Sequence, residues 1–408
     1  MPNYLDFPLN FYWGASTASH QVEGGNTNDW SEWEKSPERK KSLEEKGLID
    51  KHGLDNFICG NACNHFNLYK EDFKMAKDLG HNATRISIEW SRIEPEEGKF
   101  SEEGLNHYKN VIKTLRELGI EPFVTLWHWP LPLWLKDKGG WGHSGIKGLF
   151  ARYSEKVVSA LSPDVKFWIT LNEPEIYSGN SYLDGNWPPQ KKNLFSYLNV
   201  LHNLIGAHNL AYPVIKQINP NSMVGIAKNN IYFEAAQNKF FNRIIKSVMD
   251  FWWNFYFLNK ISKCQDFIGL NHYFHNRIDG WLGKNLNEWK SDMGWELYPE
   301  AIYHVLMDLK RYNKPVIITE NGLADAKDLN REKFLSQSLF YVHKAISDGV
   351  PVFGYLHWSL MDNFEWAEGF WPRFGLVEID YTTFERKPRP SSQYYKSICV
   401  SNTLPVLP

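Results

Sequence analysis

A chain of 408 residues with 43% hydrophobic content and a formal net charge of −2 can bury a large core, and it lacks the charge bias of a nucleic-acid or anionic-membrane binder. No apolar run is long enough to span a bilayer, and Met1 to Phe11 lack the basic-then-apolar order of a secretory leader, so a soluble, cytoplasmic protein is expected. Cys59, Cys63, Cys264 and Cys399 are too few and too scattered for a disulfide framework or a zinc site, and suit free thiols.

In chain order, Tyr12 to Ala15 reads as a first strand that opens into a polar loop at Gln21-Val22-Glu23-Gly24. Asn26 to Gly60, charged and glycine-containing, reads as a long surface excursion. A helix from His65 to Leu79 precedes a second strand, Ala83 to Trp90. Ser101 followed by Glu102 and Glu103 caps the next helix, whose Leu105, Tyr108, Val111, Ile112, Leu115 and Leu118 share one face. Gly119 ends it.

Pro122 to Trp127 is a third strand running into His128-Trp129-Pro130, and a helix over Ile146 to Leu161 leads to a fourth, Phe167 to Leu171. After a helix from Ser196 to Gln217 come a weakly patterned fifth strand, Met223 to Ala227, and a sixth, Asp266 to Asn271. A helix from Glu300 to Tyr312 leads into the β-branched run Val316 to Thr319, the seventh strand. A helix from Glu332 to Ser347 leads into the eighth, Val352 to Trp358. Eight strands alternating with helices give an α/β class, a single (β/α)8 TIM barrel with its site at the strands' C-terminal ends. One catalytic domain is expected over residues 1–402, with 403–408 as a tail.

The strand exits carry Gln21, Arg85, His128, Asn172 with Glu173, Asn271 with Tyr273, Glu320, and Trp358. One polar residue at a strand end is ordinarily the start of a solvated loop. The same choice at nearly every strand is a ring of donors and acceptors that a purely structural barrel does not need. Two of its members, Glu173 and Glu320, directly follow buried strands, and paired carboxylates on one face are the equipment of glycoside hydrolysis. The surplus of 18 Trp and 20 Tyr fits sugar stacking.

The sequence resembles glycoside hydrolase family 1, the β-glucosidase family, over about residues 5 to 400. The carriers are FYWGAST (11–17), QVEG (21–24), RISIEWSRI (85–93), LWHWPLP (126–132), WITLNEP (168–174), GLNHY (269–273), VIITENG (316–322), HWSLMDNFEW (357–366) and RFGLVEID (373–380). The resemblance implies Glu173 as general acid/base and Glu320 as nucleophile of a retaining double displacement, with carboxylates about 5–5.5 Å apart. Arg85 and Tyr273 are expected to hold Glu320 ionised, and the charge of Glu320 to raise the pKa of Glu173.

The resemblance further implies Gln21, His128, Asn172, Asn271, Glu365 and Trp366 as sugar ligands, Trp358 as stacking floor and Phe374 as flanking wall. A carboxylate at Glu365 suits 4- and 6-hydroxyls and opposes a 6-phosphate, so an unphosphorylated small-molecule β-glycoside is the expected substrate. Glu173 is glutamate, unlike the glutamine of the family's thioglucosidases, so acid catalysis is intact. No metal or other cofactor is expected, His65, His81 and His107 being read as structural.

Two departures bear on the leaving group. Glu175 stands where many members carry an aromatic, and the Trp253 to Asp266 connection is short, so a more open aglycone side is expected. β-Galactosidase, β-fucosidase or β-mannosidase specificity, transglycosylation, and a noncatalytic sugar-binding barrel are the alternatives. The intact carboxylate pair argues against the last. The sequence leaves the oligomeric state open.

Overall fold

The computed structural model describes residues 4–280, 283 and 285–405. Eight parallel strands close a barrel: β1 (Tyr12–Ser16), β2 (Ala83–Ser87), β3 (Glu121–Trp127), β4 (Phe167–Asn172), β5 (Met223–Asn229), β6 (Ile268–Asn271), β7 (Val316–Asn321) and β8 (Val352–Trp358). Each pairs with its sequence neighbours, and β8 closes on β1 with Gly354 opposite Tyr12. Around them run α1 (His65–Asp78), α2 (Glu102–Glu117), α3 (Ile146–Leu161), α4 (Leu194–Ile218), α5 (Phe240–Met249), α6 (Ala301–Leu309), α7 (Arg331–Ser347) and α8 (Pro390–Ser401). The expected (β/α)8 barrel is the observed one.

Alternation along the strands sorts the side chains into two cores. Inward-facing Phe123, Phe167, Ile169, Phe267, Ile317 and Leu356 form one cluster with Tyr12 and Phe353 packed against it. Phe123 and Phe167 stack at 4.3 Å between ring centroids. Val124, Trp168, Val224, Ile268, Val316 and Ile318 belong instead to the cluster shared with the helices. The lumen is therefore plugged with rings at the strands' N-terminal end, which leaves only the C-terminal end for a cavity.

Helix ends follow the sequence signals. The Ser101 hydroxyl accepts from the Gly104 N–H at 3.0 Å as N-cap of α2, and the Asn193 side chain does the same for Ser196 in α4.

Four expectations change. The second strand ends at Ser87, not Trp90, because Trp90 begins a helical turn and stacks on Tyr153 of α3 at 4.5 Å. The weakly patterned fifth strand is full length and runs on to Asn229. The 26–60 stretch is not a mere surface excursion: it carries helices Asp29–Trp33, Pro37–Glu45 and Leu48–His52, and buries Trp30, Leu43 and Phe57. The tail expected at 403–408 begins as a strand, Thr403–Pro405, paired antiparallel with Tyr4–Asp6. Its last three residues lie outside the described residues.

No helix among the described residues is long and apolar enough to cross a membrane. The four cysteines are free.

Gly14 of β1 lies opposite Ala83 of β2, and a Cβ there would sit 1.8 Å from the Ala83 carbonyl oxygen. The obstacle is backbone, so no rotamer change relieves it. Gly14→Ala is expected to destabilise the barrel by about 1–3 kcal/mol or more, read as a lower melting temperature than wild type; an unchanged melting temperature would contradict the close β1–β2 approach.

Candidate active site

The two strands that deliver carboxylates both break register just before doing so. Pairing of β4 with β5 shifts between Ile169 and Asn172, and pairing of β7 with β6 shifts between Ile318 and Glu320. Such irregularities at a barrel rim re-aim side chains, and here they turn consecutive residues into the cavity instead of alternating them in and out. Glu173 then sits at φ 43°, a left-handed conformation that a non-glycine residue adopts only when its surroundings enforce it. Its own N–H donates to the Ala227 carbonyl at 2.8 Å, which ties it to β5.

The carboxylates are both buried but differently dressed. Glu320 forms an ion pair with Arg85, and the Tyr273 hydroxyl donates to its other oxygen at 2.8 Å. Among the described residues no cation is in contact with Glu173. It accepts only amide N–H bonds, from Asn271 at 2.8 Å and Asn229 at 3.0 Å. Asn271 also donates to the Asn172 oxygen at 3.2 Å, and both acids face one cavity. Thr319 fixes the Asn271 amide by donating to its oxygen at 2.6 Å.

The electrostatics follow from this dressing. Burial pushes Glu320 above the ordinary carboxylate pKa, and Arg85, Tyr273 and Asn271 pull it back. Glu173 is pushed up to about 7, first by burial and then by the charge of Glu320, with Asn229, Asn271 and Arg85 opposing. The Tyr273 hydroxyl is held well above its ordinary pKa by burial and by Glu320, so it stays a donor.

Arg85 is itself oriented: Nε donates to Thr125 at 2.9 Å and Nη2 to the Asn172 oxygen at 2.6 Å. Asn172 in turn donates to His128 Nε2 at 2.9 Å. Burial and the neighbouring Arg85 hold His128 well below the ordinary histidine pKa, so the ring is neutral. Its ring centroid lies 6.1 Å from that of Trp358 and 5.8 Å from that of Trp366, within 25° of parallel to both.

The cavity holds about 440 Å³, within the usual range for small-molecule sites. His128, Asn172, Glu173, Tyr273, Glu320, Trp358, Glu365, Trp366 and Phe374 line it, as expected from sequence. Three expected residues stand behind the wall. Arg85 and Asn271 are fully buried beneath the carboxylates, and Gln21 is pinned by donating to Asn363 at 2.9 Å and to the Phe364 carbonyl at 2.8 Å. Its buried amide oxygen has no partner, so it keeps an unused acceptor beside Glu365. Burial, then Glu320 and other nearby acids, push Glu365 up to about 8, and the Trp358 indole opposes them.

Glu175 corrects an expectation. It does not replace an aromatic at the mouth: its carboxylate points into the protein and pairs with Lys228 at 3.3 Å, both side chains being fully buried. The mouth is lined instead by Ile176, Trp187, Phe274, Met293 and Trp295, with Arg39 and Asn180. Lys46, Asn186 and Glu368 add polar groups among these rings. Sequence reading also missed Asn229 and Trp129. Asn229 stands at the exit of β5, where the strand-end rule would have found it had the strand been drawn two residues longer. Trp129 is held at φ 87° and donates from its indole to the Asn172 carbonyl at 2.9 Å.

A closed parallel barrel with two carboxylates and a wall of indoles and amides at its C-terminal mouth defines a glycoside hydrolase. The profile of Glycosyl hydrolase family 1 matches residues 3–263 and 241–404, and the chain belongs to that family. It is 35% identical to Beta-glucosidase A of Thermotoga maritima over 98% of this chain and 99% of that protein. It is 30% identical to a Beta-galactosidase of Saccharolobus solfataricus over 98% and 96% of the two chains. Among solved structures, a β-glycosidase from Pyrococcus horikoshii superposes with a TM-score of 0.88 at 39% identity, covering 100% of this chain and 97% of that one. The Thermotoga maritima β-glucosidase in complex with glucoimidazole does so at 0.88 and 34% identity, over 97% and 99%.

A carboxyl whose pKa is raised by folding weakens the fold as pH rises. Unfolded, Glu173 ionises near 4.5; folded, it keeps its proton to about 7. Stability is therefore lost at about 1.4 kcal/mol per pH unit across that window, about 3 kcal/mol in all. Glu173→Gln removes the penalty, and is expected to melt above wild type at pH 8 and level with it at pH 4.5. A difference independent of pH in thermal denaturation would contradict this.

Proposed function

We propose that this chain is an exo-acting, retaining β-glycosidase of β-glucosidase type, hydrolysing unphosphorylated β-glucosides and short β-linked gluco-oligosaccharides. The observation that carries the reading is the unequal dressing of two acids in one pocket: Glu320 paired with Arg85, Glu173 held by amides alone. An ion-paired carboxylate is ready to attack carbon, and a buried carboxyl with a pKa of about 7 is ready to give a proton.

In this mechanism the sugar binds with its anomeric carbon against Glu320. One Glu320 oxygen bonds that carbon while Glu173 protonates the departing glycosidic oxygen, and the aglycone leaves as an alcohol. The ester removes the charge that had raised the pKa of Glu173. Glu173, now ionised, takes a proton from water as that water attacks the same carbon. Glu320 is released, and two inversions give net retention. The two carboxyls complete the chemistry without a metal.

Specificity follows from the walls. Trp358 offers its face to the sugar's C–H bonds. His128, Asn172, Gln21 and Trp366 suit hydroxyls at the ring's edge. Donation from 4- and 6-hydroxyls would favour the ionised form of Glu365, which then disfavours a 6-phosphate. Likeness to Beta-glucosidase A of Thermotoga maritima, and to its glucoimidazole complex, supports glucose in this subsite. The Beta-galactosidase relatives support a second reading in which galactosides are also taken. Residues 1–402 act as one catalytic unit in this reading, and four free cysteines support a reducing, cytosolic setting.

Glu320→Gly is expected to lower kcat on an aryl β-glucoside by about four orders of magnitude. For wild type, kcat/KM should fall about tenfold per unit above pH 7, as Glu173 loses its proton. Equal turnover by the variant, or a profile flat to pH 9, would contradict the assignment.

A further inference from the structure

Lys228 and Glu175 form a buried ion pair that neither lines the cavity nor touches the substrate path. Such a pair is weak evidence for stability, because desolvating both charges offsets their attraction. Its placement says more. Three consecutive residues of β5 grip two of the three residues that follow β4. The Ala227 carbonyl accepts from the Glu173 N–H, the Asn229 side chain donates to the Glu173 carboxyl, and Lys228 between them pairs with Glu175. Lys228 is fixed in turn by donating to the carbonyls of Asn229 at 2.6 Å and Trp253 at 2.8 Å. The chain between needs holding, since Glu173 sits in the left-handed region and is followed at once by Pro174.

We propose that the Glu175–Lys228 pair is a positioning device for the acid/base, clamping the Glu173–Glu175 turn to β5 and keeping a balanced charge behind Glu173. This rests on reading Glu173 as the acid/base. The groups facing Glu173 are Glu320 and Glu365, which favour its proton, Arg85, which opposes it, and the uncharged Tyr273 and His128. Lys228 feels the charge of Glu173 from behind, and Tyr197 of α4 feels Glu175. With both partners present the pair is nearly neutral and leaves the high pKa of Glu173 intact. Burial pushes Glu175 up and Lys228 down, each partner opposing the other's shift, so removing one partner takes a charge of known sign from behind Glu173.

The two single variants should therefore move the basic limb of the pH profile in opposite directions. Loss of the cation in Lys228→Met raises the pKa of Glu173, and loss of the anion in Glu175→Gln lowers it, each by roughly 0.5–1 pH unit. The double variant should return the limb close to wild type. Leaving groups that need protonation should suffer most: kcat/KM on phenyl β-glucoside is expected to fall tenfold or more in each single variant. On 2,4-dinitrophenyl β-glucoside, whose leaving group departs unaided, it should change less than threefold.

Should either single variant fail to fold, Lys228→Arg tests the same clamp: it keeps the charge but moves the donor, so the limb should stay while the phenyl rate falls. Glu173→Gln, run alongside, must spare the dinitrophenyl substrate relative to the phenyl one. If it does, and the pair variants leave the limb unmoved, shift it in one common direction, or slow both substrates equally, the positioning role is overturned. If Glu173→Gln slows both substrates equally, the acid/base reading itself falls.

Discussion

The ion pair between Arg85 and Glu320 is the contact on which the site's chemistry depends. Each charge alone would be costly at that depth, and burial by itself would drive Glu320 to its neutral form. Arg85 opposes that tendency from a fixed position: Thr125 accepts from its Nε and Asn172 from its Nη2, so it is in place before substrate arrives. An ionised Glu320 then acts on its neighbour. Its charge adds to burial in raising the pKa of Glu173, which sits in the same pocket with no cation of its own. One guanidinium thereby gives two chemically identical side chains unequal surroundings.

The barrel makes this arrangement possible by using its two ends differently. The rings of Tyr12, Phe123, Phe167, Phe267 and Phe353 fill the lumen at one end, leaving the other for polar groups. At that other end the regular in-and-out alternation is abandoned where it would be unhelpful. Register shifts before Asn172 and Glu320 let neighbouring residues face inward together, so Asn172 and Glu173 both line the cavity. Trp129, Glu173 and Trp366 are all held in the left-handed region, three strained residues around one pocket. Such strain is tolerated where surrounding contacts enforce it, and the β5 contacts to Glu173 are an instance.

Much of this was legible beforehand, because strand composition and strand-end residues are local signals. The β-branched run before Glu320 and the repeated polar exits located the barrel's working end and six residues of the cavity wall, and the family resemblance added Glu365, Trp366 and Phe374. What escaped was orientation. Glu175, two residues past Glu173, reads as a mouth residue; the helical turn Pro174–Ser178 swings it inward to Lys228, a partner 53 positions away that no local pattern reveals. Asn229 was missed because the end of β5 is a run of polar residues that looks like loop. The 26–60 stretch misled for the opposite reason: its charges are on view in the sequence, while the burial of Trp30 and Phe57 depends on what they fold against.

The central claim is that Glu320 bonds to the anomeric carbon while Glu173 handles the proton. It is tested most directly by incubating the enzyme with 2,4-dinitrophenyl 2-deoxy-2-fluoro-β-glucoside and locating the trapped sugar by peptide mass spectrometry. Fluorine at C2 slows both displacements, and the activated leaving group lets the first proceed, so the covalent species should accumulate. The account requires one sugar per chain, carried on Glu320 alone. A sugar on any other side chain, or turnover to an inverted product with no adduct, would contradict it.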